Sequence, residues 1–117
     1  MAEQSKRVLI TGGLGYVGGR LANRLIADSQ MSLRIMTRRD KEGIPNWAKE
    51  LDVVQADLQN PESLETALEN IDTVVHLAAI DENESQQNPE LALEVNGAGT
   101  YRLLQACNAM GIRRFVY

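Results

Sequence analysis

The run Val8-Leu9-Ile10-Thr11-Gly12-Gly13-Leu14-Gly15-Tyr16-Val17-Gly18 constrains this 117-residue chain more than any other segment. A β-branched and apolar run meets a glycine-rich turn, and a helix-patterned segment follows. Gly12, Gly15 and Gly18 recur at three-residue spacing. Each glycine has a separate physical use in such a turn. The first permits a tight strand-to-helix reversal. The second lets backbone N–H groups approach a dinucleotide pyrophosphate. The third lets the helix pack closely on the strand. The helix that begins at Tyr16 and Val17 adds unpaired N–H donors and the positive end of its dipole. A strand before and a helix after are the context this motif requires.

Strand and helix patterns alternate along the rest of the chain. Strands are expected at 7–11, 33–37, 52–56, 73–77 and 113–117. A helix over 16–27 carries Val17, Leu21, Leu25 and Ile26 on its inward stripe. The connection 41–50 holds one helical turn begun by Pro45, with Trp47 as a local apolar anchor. Asn60 and Pro61 form an N-cap and first-turn pair for a helix to about residue 69. Asn88-Pro89 opens a long helix to about Met110, stopped by Gly111. The polar stretch 81–88 reads as a solvated loop, with a lid as the other reading. Strands separated by helices imply right-handed crossovers and a parallel sheet. All 117 residues fit one domain, with no linker, repeat or low-complexity run.

Composition narrows the function classes. A hydrophobic content of 44% supports a core, and a net charge of −4 argues against nucleic acid as a general partner. The charge is uneven. The first 41 residues carry eight Lys/Arg against three acids, and the remainder four against thirteen. A basic N-terminal half suits a phosphate-rich ligand, and a solvated basic face is the plain alternative. The single cysteine, Cys107, sits in an apolar helical stretch and is expected to pack as a small hydrophobe. No apolar run reaches the ~20 residues that span a bilayer, so the reading is cytoplasmic, with no membrane partner. No metal-ligand spacing is evident.

The motif Thr11-Gly12-Gly13-x-Gly15-Tyr16-x-Gly18 resembles that of the extended short-chain dehydrogenase/reductases, the family of NAD-dependent epimerases, dehydratases and related reductases. Further matches follow in order and cover nearly the whole chain. The resemblance implies an α/β Rossmann-like doubly wound sheet with strand order 3-2-1-4-5. It also implies that the chain is the cofactor-binding part of a longer enzyme. The family's catalytic Ser or Thr and its Tyr-x-x-x-Lys pair lie beyond the segment matched here, so no catalytic residue is assigned. Tyr16 and Tyr101 have Arg20 and Gln105 at the lysine offset, and Tyr117 is the last residue of the sequence.

Four segments acquire site roles from the resemblance. NAD-using members place an acid at the end of the second strand. Here Thr37 stands in its place, followed by Arg38 and Arg39. A guanidinium there can pair with a 2′-phosphate, so NADP is favoured, with NAD as the alternative. Arginines on a surface turn, one of them held by Asp40, are the competing reading. Asp57 matches the family's acceptor for the adenine amino group, with Leu58 on the ring face. Leu77, Ala78 and Ala79 follow His76 as the family's H-x-A-A segment, where small residues admit the cofactor's ribose and pyrophosphate. His76 is read there as a packing residue. Val95-Asn96-Gly97-Ala98-Gly99-Thr100 matches V-N-x-x-G-T, with Asn96 ordering backbone near the active site.

Three functions remain open at this point: part of an enzyme acting on a nucleotide sugar or related carbonyl, part of an NADP-dependent ketone or aldehyde reductase, or a non-catalytic dinucleotide-binding module. The 117-residue chain is further expected to self-associate through its long helix or its fifth-strand edge.

Overall fold

The computed structural model describes residues 6–28, 30–79 and 82–117. Five strands, β1 (Lys6–Thr11), β2 (Met31–Thr37), β3 (Asp52–Gln55), β4 (Thr73–His76) and β5 (Arg114–Val116), form one sheet in the order β3-β2-β1-β4-β5. Every pairing is parallel. This is the Rossmann-type topology, and it follows from the alternation of strand and helix. Parallel neighbours need a crossover of a dozen or more residues, and amphipathic helices supply it.

Both faces of the sheet are covered, so side chains of alternating parity enter two separate cores. Val8 and Ile10 of β1 join Ile35 of β2 and Ala22 of helix α1 (Tyr16–Ile26) on one face. Leu9, Met36 and Val74 point to the other face. There they meet Leu64 and Leu68 of α2 (Pro61–Leu68) and Leu103 and Cys107 of α5 (Gly99–Ala109). Burial pushes the Cys107 thiol up to about 11, which leaves it an inert small hydrophobe. The short helix α3 (Glu82–Gln87) and α4 (Pro89–Ala92) precede α5.

Helix ends behave as their sequences direct. Asn60 accepts from the Ser63 N–H, with Pro61 in the first turn of α2. Asn88 accepts from Leu91 N–H ahead of α4. Gly111 takes φ +72° just past α5, the left-handed stop. Trp47 lies beside Gly19, pinning the β2–β3 connection to α1.

Three expectations need correction. The stretch read as a loop is helical over Glu82–Gln87; its first residue lies outside the described ones. The long helix is not uniform: Leu93–Ala98 forms a π-helical segment between α4 and α5, where Gly99 N–H donates to Glu94 O. Buried Val95, Gly99, Leu103 and Cys107 recur every four residues. That spacing overshoots a 3.6-residue turn, and one wide turn offsets the overshoot. Finally, Val17 and Ile26 are exposed, and the close face of α1 is made by Gly18 and Ala22. Small residues there allow a helix–sheet approach that larger side chains would prevent.

The glycines divide sharply by this criterion. A Cβ at Gly18 would land on the Gly12 carbonyl oxygen, and would lie 2.8 Å from Gly13 Cα. At Gly97 a Cβ meets only Leu93 Cδ1, at 3.7 Å. Gly18→Ala is therefore expected to destabilise the fold by about 2–3 kcal/mol, an overpacking cost. Gly97→Ala is expected to be neutral or to stabilise by up to about 1 kcal/mol through helix propensity. Urea denaturation midpoints of the two variants check the contrast.

Candidate functional site

The carboxyl ends of β1 to β4 open into one cleft of about 640 Å³. Gly12, Leu14 and Gly15 line it from the turn after β1. Met36, Thr37, Arg38 and Arg39 line it from the end of β2. Ala56, Asp57 and Leu58 follow β3, and Leu77, Ala78 and Ala79 follow β4. Val95 closes it from the π segment. The cleft lies where the strand order reverses between β1 and β4, the position ligands take in such sheets.

The turn after β1 is built by backbone contact. Gly12 adopts φ +69°, and a Cβ there would lie 2.8 Å from Ala78 N. Gly15 N–H closes the turn on Gly12 O at 3.0 Å. Gly15 is the N-cap of α1, no side chain caps it, and no acid occupies the first turn. The first-turn amides and the positive helix end are thus left beside the cleft. A Cβ at Gly15 would approach only Gly12 O, at 3.3 Å, so the fold itself makes a mild demand for glycine here.

At the end of β2 the two arginines differ. Arg39 donates through Nη1 to Gly43 O at 3.4 Å, and its aliphatic stem lies over Gly43. Asp40 accepts from Gly43 N–H and caps a short 3-10 turn, Lys41–Gly43. Among the described residues Asp40 makes no ion pair with either arginine, and both arginines are exposed, as a surface turn leaves them. Arg38 is exposed, and its carbonyl accepts from Gln55 Nε2. Its guanidinium is the freer of the two. Across the cleft, one oxygen of the half-buried Asp57 carboxylate accepts from Gln59 N–H at 2.9 Å. The Asp57 N–H donates to Ser63 Oγ, which fixes the loop.

Nine of the thirteen expected site residues therefore line one cleft: Gly12, Gly15, Arg38, Arg39, Asp57, Leu58, Leu77, Ala78 and Ala79. Four do not. Gly18 serves the fold by its contact with Gly12. Tyr16 and Val17 are exposed, and the Arg20 guanidinium lies over the Tyr16 ring at 4.5 Å. Neither side chain lines the cleft. Asn96 is half-buried, and its carbonyl accepts from Thr100 Oγ1 at 2.8 Å. Sequence reasoning missed Leu14, Met36, Ala56 and Val95, all apolar lining residues that patterning assigns to the core.

It also missed a buried polar chain. Thr11 is fully buried and accepts at Oγ1 from Leu77 N–H (3.0 Å) and Ala78 N–H (3.1 Å). The same oxygen lies 2.6 Å from His76 Nδ1, and His76 Nε2 lies 2.9 Å from Thr100 Oγ1. A threonine that interrupts an apolar strand was the available signal.

A doubly wound parallel sheet with a glycine turn at its switch point defines the class of Rossmann-type nucleotide-binding proteins. The chain belongs to the NAD dependent epimerase/dehydratase family, whose profile matches residues 8–117. It is 31% identical over 115 residues to D-erythronate dehydrogenase of Haemophilus influenzae, covering 95% of this chain and 36% of that protein. It is 34% identical over 116 residues to a Mycobacterium tuberculosis 3 beta-hydroxysteroid dehydrogenase/isomerase, covering 95% and 30%. Among solved structures, the Thermus thermophilus UDP-glucose 4-epimerase complex with NAD superposes with a TM-score of 0.79 at 29% identity. That match covers 95% of this chain and 36% of the other. The chain thus spans about a third of the length of these relatives. No helix among the described residues is long and apolar enough to cross a membrane.

His76 is only 4% exposed, and desolvation lowers its pKa below the ordinary 6.5. The folded state then resists a proton that the unfolded state accepts. Stability from this group is complete above pH 6.5 and falls as pH drops from there toward the folded-state value. The expected loss is at most about 1.4 kcal/mol per pH unit. His76 is the chain's one histidine, so His76→Gln should abolish the slope between pH 6.5 and 5.5. Thermal melts across that range check it.

Proposed function

We propose that this chain is the nicotinamide-dinucleotide-binding part of an NAD(P)-dependent epimerase, dehydratase or reductase. The observation that carries the reading is convergence. The glycine turn, a free arginine after β2 and a carboxylate after β3 meet in one cleft of about 640 Å³. That volume falls within the range of cofactor sites. The residues fit such a group. Gly15 presents backbone where a side chain would stand in the way of a pyrophosphate. The first turn of α1 supplies donors and positive potential for the phosphates. Asp57 has carboxylate capacity beyond its bond to Gln59 N–H, enough to accept from an adenine amino group while Leu58 covers the ring. Ala78 and Ala79 leave room for the nicotinamide-side ribose. The bound nicotinamide would supply a hydride acceptor or donor, and this chain's residues hold and orient it.

Preference for NADP over NAD rests on Thr37 and Arg38. No carboxylate stands at the end of β2 to repel a 2′-phosphate, and the Arg38 guanidinium is exposed to receive one. The Thermus thermophilus complex holds NAD, which keeps NAD as the alternative. A second reading concerns the reaction. The two curated relatives compared above are dehydrogenases, which favours oxidation or reduction of a hydroxyl or carbonyl carbon over sugar epimerisation.

Titration calorimetry with NADP and NAD tests the cofactor reading. Gly15→Val is expected to keep the native circular dichroism and lose binding of both by more than tenfold. Arg38→Ala is expected to weaken NADP about tenfold and leave NAD within twofold. A folded Gly15→Val chain that binds like the parent overturns the phosphate site. An unchanged NADP/NAD ratio in Arg38→Ala overturns the 2′-phosphate role.

The 117-residue chain is further proposed to associate with a second copy of itself. Leu93 (75% exposed), Tyr101 (62%) and Leu104 (43%) lie at helical spacing along the π segment and α5. Pairing two such faces removes apolar surface that water otherwise contacts. Sedimentation equilibrium should show a concentration-dependent dimer in the parent and a monomer in Leu93→Glu/Leu104→Glu. A parent chain that stays monomeric at high concentration overturns this.

A further inference from the structure

The chain of hydrogen bonds through His76 has only one consistent direction. The one proton of the Thr100 hydroxyl goes to Asn96 O, so the ring nitrogen that faces Thr100, Nε2, must be the donor. Thr11 Oγ1 accepts from Ala78 N–H and from Leu77 N–H, which it shares with the Thr11 carbonyl oxygen. The one Thr11 hydroxyl proton must then point at His76 Nδ1, 2.6 Å away. Nδ1 is therefore an acceptor, and the neutral ring carries its proton on Nε2. Nε2–H donates to Thr100 Oγ1 at 2.9 Å, and the Thr100 hydroxyl donates to Asn96 O at 2.8 Å. The chain begins at the cleft wall after β4 and ends on the π segment that carries Val95 into the same cleft.

We propose that His76 is a positioning residue for the cleft. Held as the Nε2–H tautomer, it couples the Leu77–Ala78 wall through Thr11 to the π segment, and a proton added to the ring uncouples the two walls and weakens dinucleotide binding. The inference rests on the dinucleotide reading above for its functional consequence, and on the geometry alone for the coupling.

The physical reason is a count of donors. An imidazolium has N–H on both nitrogens. A donor at Nδ1 would face an oxygen that already accepts from two backbone N–H groups. The buried Thr11 hydroxyl then loses its acceptor, and Leu77 N–H must fall back on the Thr11 carbonyl oxygen alone, Ala78 N–H must be released, or Thr11 must turn away. Ala78 N also lies in the tight contact under Gly12, so a shift there reaches the glycine turn directly. Around the ring, Thr11 packs from β1, Thr100 from α5, and Phe115 and Tyr117 from β5 and the residue after it. The Phe115 and Tyr117 ring centroids lie at 6.0 and 5.9 Å. None of these four is a carboxylate, an amine or a guanidinium.

The imidazole can be read without assignment ambiguity, because the chain has one histidine. Long-range proton–nitrogen NMR of the uniformly 15N-labelled 117-residue chain is expected to show the Nε2–H tautomer at pH 7.5. Amide signals of Leu77 and Ala78 should move with the same midpoint as the ring on acidification. Calorimetric titration with NAD should show affinity falling at least fivefold along that midpoint. NADP is titrated in parallel. His76→Asn, which keeps an acceptor near Thr11 and cannot titrate, should show no such fall with NAD. Any fall it shows with NADP belongs to the nucleotide's own phosphate. An Nδ1–H tautomer overturns the proposal, as do Leu77 and Ala78 amides that stay still while the ring titrates. NAD affinity that is unchanged as the ring protonates overturns the functional part. If neither nucleotide binds at pH 7.5, the dinucleotide reading fails, and the tautomer and amide shifts still decide the coupling.

Discussion

The contact between Gly18 and Gly12 sets the geometry on which the rest of the structure depends. The backbone of α1 sits directly on the turn that ends β1, closer than any side chain would permit. That approach aims the start of α1 at the ends of the neighbouring strands. Gly12 in turn lies against the backbone of Leu77 and Ala78, just beyond the last paired residues of β1 and β4, and these segments line the cleft together.

Around that contact, the sheet is held by burial on two faces. Leu9, Ile10, Ile35 and Val74 are fully buried, and they alternate between the α1 core and the α2–α5 core. Full burial of each large aliphatic side chain is worth about 1.5–3 kcal/mol relative to exposure. Strand length and register then carry every strand end to the same level. Polar groups near the cleft are satisfied locally: Asp57 by Gln59 and Ser63, Asp40 by Gly43, and Thr11 by two amides and a ring nitrogen. Arg38 is the exception. Its guanidinium is exposed beside a cleft with no carboxylate at the end of β2.

The π segment links packing to the site. A regular helix from Asn88 to Met110 would drift off the sheet, because its buried residues recur every four positions. Widening one turn keeps Val95 at the cleft while Gly99 lies 3.0 Å, as a Cβ would measure it, from Leu58 Cβ. The Thr100 hydroxyl bonds the Asn96 carbonyl in that segment and lies 2.9 Å from His76 Nε2. One polar chain therefore spans from β1 to the helix through a single buried ring.

The sequence alone determined the alternation of strand and helix, the glycine turn and the residues at most strand ends. Those features are periodic or local: a two-residue or 3.6-residue pattern, a capping Asn with Pro after it, glycines at fixed spacing. Nine of the residues it named line the cleft because strand ends in a parallel sheet converge by topology. It did not determine which side chains of α1 face inward, since Gly18 and Ala22 displace Val17 and Ile26 from the close face only once the helix is docked. Nor could it show that Asp40 caps a turn instead of holding an arginine, or that Thr11 and Thr100 grip opposite sides of His76. Those partners are 65 and 24 residues apart. Their contacts exist only when β1, β4 and α5 are packed, and no local pattern in the chain encodes them.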